Sequence, residues 1–145
     1  MIANGSRDPL TLAQIAAIGE AATLIEAPDG TMARTDVPGG PLVLSMTDDG
    51  GGLAGARAAD RFAATTVALA ERMRPATLLI CGGESAQATL DRLGVRRVRV
   101  VAELRPGLPL CLVEASWGWV EIVTKSGGFG APGLLAEILA SVRAG

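Results

Sequence analysis

Short apolar runs alternate with amphipathic segments along this chain, and that alternation limits the possible folds more than any other feature. The runs 41–47 (PLVLSMT) and 76–81 (ATLLIC) have the length and continuous hydrophobicity of buried strands. Apolar residues at helical spacing cover 54–73, and a second helix is predicted over 84–93. Strands separated by helices favour a parallel sheet covered on both faces. The sequence therefore predicts an α/β layered sandwich with a mostly parallel sheet.

The remaining segments extend this plan within a single domain over residues 1–145, since no linker or internal repeat is visible. Their predicted elements, in chain order, are a strand end over 1–4, a helix that opens at Asp8-Pro9 with a capping box at 11–14 and runs to about Ala22, a strand over 23–26, a turn-rich connection over 28–40, a flexible loop over 48–52, strands over 95–101, 110–115 and 120–125, and a helix over 133–142. The last two strands form a hairpin around 116–118, which adds an antiparallel part to the sheet near the C-terminus.

The residue types present exclude several classes of function. The sequence contains no histidine, which excludes Ser-His-Asp catalysis, zinc sites with imidazole ligands and acid–base chemistry by imidazole. A net charge of −2 gives no indication of a nucleic-acid partner, and no apolar run reaches the length of a membrane span. Cys81 and Cys111 lie inside apolar runs, which indicates buried, reduced thiols, and we expect a cytoplasmic protein.

Three turns that contain glycine each follow an apolar strand and precede a helix or helical segment: 4–8 (NGSRD), 81–85 (CGGES) and 125–130 (KSGGFG). The carboxyl ends of parallel strands share one edge of a sheet, and ligands bind in the crevice there. Glycine lets backbone N–H groups approach a ligand, and helix N-termini favour anions such as phosphate. Because none of the turns matches G-x-x-x-x-G-K-[ST] or G-x-G-x-x-G, ordinary turn chemistry also stays open. We predict that the turns at Gly5, Gly82 and Gly127 lie on one edge of the sheet.

Ordered segments along nearly the whole chain resemble the four-carbon acid sugar kinases. They are NGSRDPLTLAQI, similar to the G-S-x-x-P-x-T-x-x-Q segment of that family, LLICGGESAQATLDRLGV, similar to its GGET segment, RVVAELRPGLPL, similar to its E-x-x-P-G-x-P segment, and KSGGFGAPGLLAEIL, similar to its K-S-G-N-F-G turn and last helix. Two positions depart from the family pattern, since Ser85 replaces a threonine and Gly128 replaces an asparagine.

The resemblance implies a C-terminal nucleotide-binding domain of a kinase that phosphorylates threonate, erythronate or oxo-tetronate acids with ATP, bound as its Mg²⁺ complex. By position, the nucleotide contacts of the family fall on Ser6, Gly82, Gly83, Glu84, Ser85 and Gly127, with Lys125 and Gly130 in the same motif. No catalytic residue and no separate metal site is assigned.

The same resemblance places the sugar-acid pocket on an N-terminal domain that this chain does not contain. We therefore expect a partner domain or subunit to supply the substrate site, and we expect the isolated chain to be inactive as a kinase. A non-catalytic module that keeps the fold remains the alternative interpretation.

Several side chains allow both a functional and a structural interpretation. Glu84 either helps to place Mg²⁺ or nucleotide, or is a favourable charge in the first turn of a helix. Lys125, the only lysine, either neutralises phosphate charge or solubilises the end of a strand. For Asp48 and Asp49 we favour a solvated loop over metal binding. For Arg96, Arg97 and Arg99 we favour a charged strand edge over a phosphate clamp. For Trp117 and Trp119 we favour packing over adenine stacking.

Overall fold

A computed structural model describes residues 1–33, 36–48 and 55–143 of the chain. Within these ranges the strands are, in chain order, β1 (Ile2–Asn4), β2 (Thr23–Pro28), β3 (Leu42–Thr47), β4 (Thr77–Cys81), β5 (Arg99–Arg105), β6 (Leu108–Ala115) and β7 (Gly118–Lys125). The α-helices in the same ranges are α1 (Pro9–Ala16), α2 (Gly55–Met73), α3 (Gly83–Arg92) and α4 (Leu134–Arg143). None of these described helices combines the length and the apolar character that crossing a membrane requires.

The strands form one sheet in the order β2-β3-β1-β4-β7-β6-β5. The first five strands in that order (β2, β3, β1, β4 and β7) are parallel to one another, whereas β6 runs antiparallel to both β7 and β5. After α3 the chain crosses to the far edge of the sheet, and two hairpins bring it back to β4. This arrangement confirms the predicted α/β sandwich with a mostly parallel sheet, and it shows that β5 joins the predicted hairpin in the antiparallel part.

Helices cover both faces of the sheet, which makes three layers. Phe62 of α2 is fully buried and belongs to the same core cluster as Ala3 of β1. Leu135 of α4 is also fully buried, and it belongs to the cluster on the other face, together with Ile2. Successive residues of a strand point to opposite faces, so Ile2 and Ala3 serve the two cores in turn. The two covered faces explain why the central strands are apolar throughout rather than alternating.

The start of α1 differs from its prediction. Oδ1 of Asp8 accepts a hydrogen bond of 2.9 Å from the backbone N–H of Leu10, so Asp8 caps the helix. The predicted capping box at 11–14 is wrong. The hydroxyl of Thr11 and the amide of Gln14 donate instead to carbonyls of the glycine-rich turn after β7. A polar pair that fits a local capping pattern therefore serves a contact between distant parts of the chain.

The end of α1 also differs, because the helix stops at Ala16 and not near Ala22. A short 3-10 helix follows over Gly19–Ala21. Gly19 has a φ of 54°, which is a left-handed conformation that cannot continue an α-helix. The loop predicted over 48–52 lies, apart from Asp48, outside the described residues.

The strand predicted over 95–101 is displaced, since β5 covers Arg99–Arg105. Its hairpin with β6 turns at Gly107, where φ is 81°, and this turn pairs Arg105 with Leu108. The position of the turn, and not the apolar content of 95–101, sets which residues pair with β6. The other predicted strands and helices agree with the structure to within two residues at either end.

Candidate functional site

The three glycine-containing turns meet at one edge of the sheet, as predicted. The backbone N–H of Gly5 donates to the carbonyl of Cys81 at 2.9 Å, which joins the ends of β1 and β4. The N–H of Gly82 donates to the carbonyl of Lys125 at 2.9 Å, which joins the ends of β4 and β7. These are the carboxyl ends of three neighbouring parallel strands, where α/β proteins bind their ligands.

A cavity of about 250 Å³ opens beside the first two turns. The predicted residues Gly82, Gly83, Glu84 and Ser85 all line it, and Gly5 and Arg7 contribute from the turn after β1. Ala58 and Ala59 of α2, with Met46 of β3, form an apolar side. The predicted residues Ser6, Lys125, Gly127 and Gly130 do not line this cavity but lie in the turns that flank it. An apolar side next to the polar residues at the start of α3 suits a ligand with an apolar part and a charged part.

The turn over 81–85 presents the open N-terminus of α3. Gly82 is the N-cap residue with a φ of 99°, and no side chain of the described residues caps the helix at this end. A β-carbon on Gly83 would meet no atom of the described residues within 4 Å, so the first turn of the helix is open on that side. The first N–H groups of any helix have no partner within that helix, and the helix dipole adds positive potential there. The feature is therefore suited to an anion.

The turn after β1 is held by a network around Asn4, which is fully buried. Its Oδ1 accepts from the N–H of Ser6 at 3.0 Å, and its Nδ2 donates at 3.0 Å to both the carbonyl of Ser6 and the hydroxyl of Ser45. The hydroxyl of Ser6 accepts in turn from the N–H of Asp8 at 3.1 Å. Asn4 was missed by the sequence interpretation, although a polar side chain that ends a buried strand is a usable signal.

Arg7 was missed as well. Its guanidinium lies 3.8 Å from Asp48 and 4.0 Å from Asp29, and its side chain is 46% exposed at the border of the cavity. The guanidinium is therefore ion-paired with two carboxylates and half exposed, and a cation next to the open end of α3 adds to the attraction for an anion. The signal in the sequence is the position of Arg7 directly after Gly5-Ser6.

Lys125 lies inside the protein. Only 2% of the residue is exposed, and Nζ donates to Thr11, Ser126 and Gly127. Burial lowers the pKa of Lys125, while the nearby Cys81 and Asp8 act in the opposite direction. The solubilising role considered for this lysine is therefore excluded, because its charge does not face water.

Gly130 is the last residue of the turn after β7. Its φ is 91°, and a β-carbon there would overlap the side chain of Leu134. Gln14 approaches from α1 and donates to the carbonyls of Phe129 and Ala131 at 3.0 and 2.8 Å. The position requires glycine for both conformation and space, which accounts for this residue without any ligand.

The other side chains considered as binding candidates lie elsewhere. Trp117 and Trp119 flank the start of β7, at the opposite end of that strand from Lys125, so neither reaches the cavity. Trp119 is 63% exposed, whereas Trp117 packs against the core. Arg99 starts β5, which is an edge strand, in agreement with a charged edge. Among the described residues, no group of three or more Cys, Asp or Glu side chains is arranged to hold a metal.

Comparisons with known proteins identify a family. Residues 43–135 match the nucleotide-binding C-terminal domain. The chain is 30% identical to the D-threonate kinase of Salmonella typhimurium over 86 residues, which is 59% of this chain and 20% of that enzyme. It is 36% identical to the 3-oxo-tetronate kinase of Cupriavidus necator over 61 residues, which is 42% of this chain and 14% of that enzyme. The chain thus spans a fifth or less of the curated relatives that it matches.

A solved structure shows the same fold. It is a domain of unknown function from Bordetella bronchiseptica, described as a domain-swapped dimer with bound citrate. The TM-score is 0.80 at 22% identity, with 96% of this chain and 40% of that chain covered. The family match covers well over half of the residues, and the sequence relatives are kinases of four-carbon acids. The chain therefore belongs to the nucleotide-binding C-terminal domain family of the four-carbon acid sugar kinases.

Proposed function

We propose that this domain binds ATP, as the Mg²⁺ complex, in the crevice at the carboxyl ends of β1, β4 and β7. It would serve a kinase that phosphorylates a sugar acid of the threonate, erythronate or oxo-tetronate type. The observation that carries this proposal is the uncapped N-terminus of α3, which opens into a cavity lined by Gly82, Gly83, Glu84 and Ser85.

The phosphates are assigned to the N-terminus of α3. Backbone N–H groups and the helix dipole both favour negative charge there, and Gly83 leaves the approach open. Arg7 supplies a positive charge at the border of the same cavity. Ser6 accepts from the N–H of Asp8, which leaves its hydroxyl hydrogen available for a phosphate oxygen. Ser6 and Gly127 complete the site from the two flanking turns.

The residues present fit a metal ion that arrives with the nucleotide. Mg²⁺ is usually held by one or two carboxylates together with phosphate oxygens and water, and not by a protein cage. Glu84 supplies a carboxylate at the cavity, in the first turn of α3. We assign to Glu84 the role of a ligand to this Mg²⁺, directly or through water. The ion would neutralise charge on the transferring phosphoryl group.

The acceptor site is assigned to a partner domain or subunit, in keeping with the order of domains in the family. A cytoplasmic location is part of the proposal, since ATP is available there and the free thiols of Cys81 and Cys111 would stay reduced.

Calorimetric titration with ATP, in the presence and absence of Mg²⁺, tests the proposal. We expect saturable binding of one ATP per chain that Mg²⁺ strengthens, and much weaker binding of adenosine because it lacks the phosphates. Binding of adenosine as tight as that of ATP would contradict the assignment of the phosphates to α3. The absence of ATP binding under both conditions would contradict the proposed function. It would favour the alternative of a non-catalytic module that shares only the fold with the kinases.

A further inference from the structure

The ammonium group of Lys125 uses its whole donor capacity inside the protein. Nζ donates to the hydroxyl of Thr11 at 3.0 Å, to the carbonyl of Ser126 at 2.9 Å and to the carbonyl of Gly127 at 3.0 Å. An ammonium group has three hydrogens to donate. A direct bond from Lys125 to a ligand would therefore require the loss of one of these bonds, in a side chain that water does not reach.

The same contacts fasten the turn after β7 to α1. The hydroxyl of Thr11 donates to the carbonyl of Gly127, so this carbonyl accepts from two groups. One helical turn further along α1, Gln14 donates to two more carbonyls of the same segment. The carbonyl oxygens of Ser126 and Gly127 thus face the interior, toward a helix and a buried cation.

The direction of these carbonyls fixes the direction of the next N–H groups. In a planar trans peptide, the C=O of one residue and the N–H of the next point in opposite directions. The described part of the chain contains no cis peptide bond. The N–H groups of Gly127 and Gly128 therefore point away from Lys125. In the described residues neither of them donates to a protein acceptor. Successive free N–H groups of this kind form an anion-binding arrangement.

The positive charge of Lys125 also favours the binding of an anion by these two N–H groups. A cation that binds a carbonyl oxygen polarises the peptide group and makes its N–H a stronger donor. The effect reaches two adjacent peptides, because Nζ contacts both Ser126 and Gly127. A buried lysine can thus strengthen the binding of an anion through two peptide groups, although its ammonium group does not contact the anion.

We infer that Lys125 is a positioning residue, which holds the turn so that the N–H groups of Gly127 and Gly128 face a phosphate of the nucleotide. Lys125 itself makes no bond to that phosphate. The inference rests on the proposed nucleotide site and assigns a second phosphate-binding element to it, in the turn after β7.

The single lysine of the sequence makes a direct test possible by nuclear magnetic resonance. Protein labelled with ¹⁵N gives one lysine ammonium signal, from Nζ of Lys125, alongside the amide signals of Gly127 and Gly128. On titration with Mg²⁺·ATP we expect both glycine amides to shift while the ammonium signal keeps its frequency and its slow exchange with water. An ammonium signal that moves together with the amides would show direct contact and overturn the inference.

Variants test the positioning role separately. Lys125→Met keeps the length of the side chain and removes its donors, and Thr11→Val removes only the hydroxyl in case the first variant does not fold. We expect both to displace the amide signals of Gly127 and Gly128 in the free protein. Lys125→Met should also weaken ATP binding by at least about tenfold. Thr66→Val is the matched control, because Thr66 is equally buried and its hydroxyl lacks a partner among the described residues.

The possible outcomes separate the two proposals. Unchanged glycine amides in Thr11→Val and in a folded Lys125→Met, with ATP binding intact, would overturn the positioning role alone. A wild-type protein that binds no ATP would overturn the proposed function, and with it the phosphate role of this turn. Displaced amides together with weakened binding, and neither change in Thr66→Val, is the result expected.

Discussion

Gly5 and Ser85 pack so closely that no β-carbon fits on Gly5. Such an atom would overlap the hydroxyl and the β-carbon of Ser85 and would lie 3.2 Å from the ring of Phe62. Gly5 follows β1 and Ser85 lies in the first turn of α3, so their contact sets the distance between two turns of the crevice. The absence of a side chain at Gly5 is thus a requirement of packing as well as of access to a ligand.

Gly5→Ala should therefore destabilise the domain by about 1–3 kcal/mol, the usual cost of forcing an extra methyl group into a packed interior. Urea unfolding followed by circular dichroism measures this change. Gly39→Ala is the matched control, because a β-carbon at Gly39 would meet no atom within 4 Å. Its effect should stay within about 0.5 kcal/mol. Equal stability of both variants would show that α3 can shift to accept the methyl group.

Gly83→Val should weaken ATP binding without loss of the fold. A β-carbon at this position would meet no atom of the described residues within 4 Å, so the fold should accept it, and side chains of a helix lean toward its N-terminus, where we place the phosphates. We expect the affinity to fall by at least about tenfold, or about 1.4 kcal/mol. Calorimetry measures the affinity, and circular dichroism verifies the fold. Gly133→Val, at the start of α4, is the control, and a folded Gly83→Val that binds ATP as well as the wild type does would refute the phosphate assignment.

The stability of the domain should depend on alkaline pH through Cys81. Burial raises the pKa of this thiol from 9.0 to about 12, and the charge of Lys125 lowers it in part. Between those values the unfolded chain releases a proton that the folded protein keeps. The contribution of this thiol to stability is therefore full well below pH 9, and it falls by up to about 1.4 kcal/mol per pH unit between about pH 9 and 12.

Comparison with Cys81→Ala reports the thiol together with its coupling to Lys125, whose lowered pKa acts on stability with the opposite sign. Urea unfolding at several pH values between about 8 and 11 gives the slope for each protein. The wild type should lose stability more steeply than the variant. Parallel slopes would mean that the thiol ionises as easily in the folded protein as in the unfolded chain.

Local patterns predicted the crevice because its parts are local. The turn over 81–85 follows an apolar run of strand length and precedes a helix, and glycines mark the junction. Strand–helix alternation then places the turns at Gly5, Gly82 and Gly127 on one edge without any knowledge of long-range contacts. The burial of Cys81 and Cys111 is confirmed for the same reason, since apolar neighbours are visible in the sequence.

Contacts between distant residues could not be predicted in this way. Lys125 ends a strand, where a lysine is usually exposed, and one of the three acceptors that accompany its burial is Thr11, 114 positions away. Thr11 and Gln14 fit a capping pattern at the level of spacing, but the turn after β7 uses their side chains. The displaced β5 has a similar cause, since the hairpin turn at Gly107 decides its pairing.

The isolated chain should show no sugar-acid kinase activity. Phosphoryl transfer depends mainly on the alignment of the acceptor hydroxyl with the transferring group and on neutralisation of charge. The crevice offers the N-terminus of α3, Arg7 and Glu84 to a nucleotide, and the family resemblance places the acceptor on another domain. Without that domain the acceptor hydroxyl is neither aligned nor deprotonated, so the advantage of an intramolecular arrangement is lost.

A coupled assay of ADP release, with threonate, erythronate and oxo-tetronate as acceptors, measures this prediction on the purified 145-residue chain. We expect slow hydrolysis of ATP that no acceptor accelerates, because water alone can reach the bound nucleotide. Gly83→Val distinguishes hydrolysis at the crevice from a contaminating activity, since only the former should fall with ATP affinity. Release of ADP that depends on an acceptor and disappears in Gly83→Val would place an acceptor site on this domain and contradict the assignment of that site to a partner.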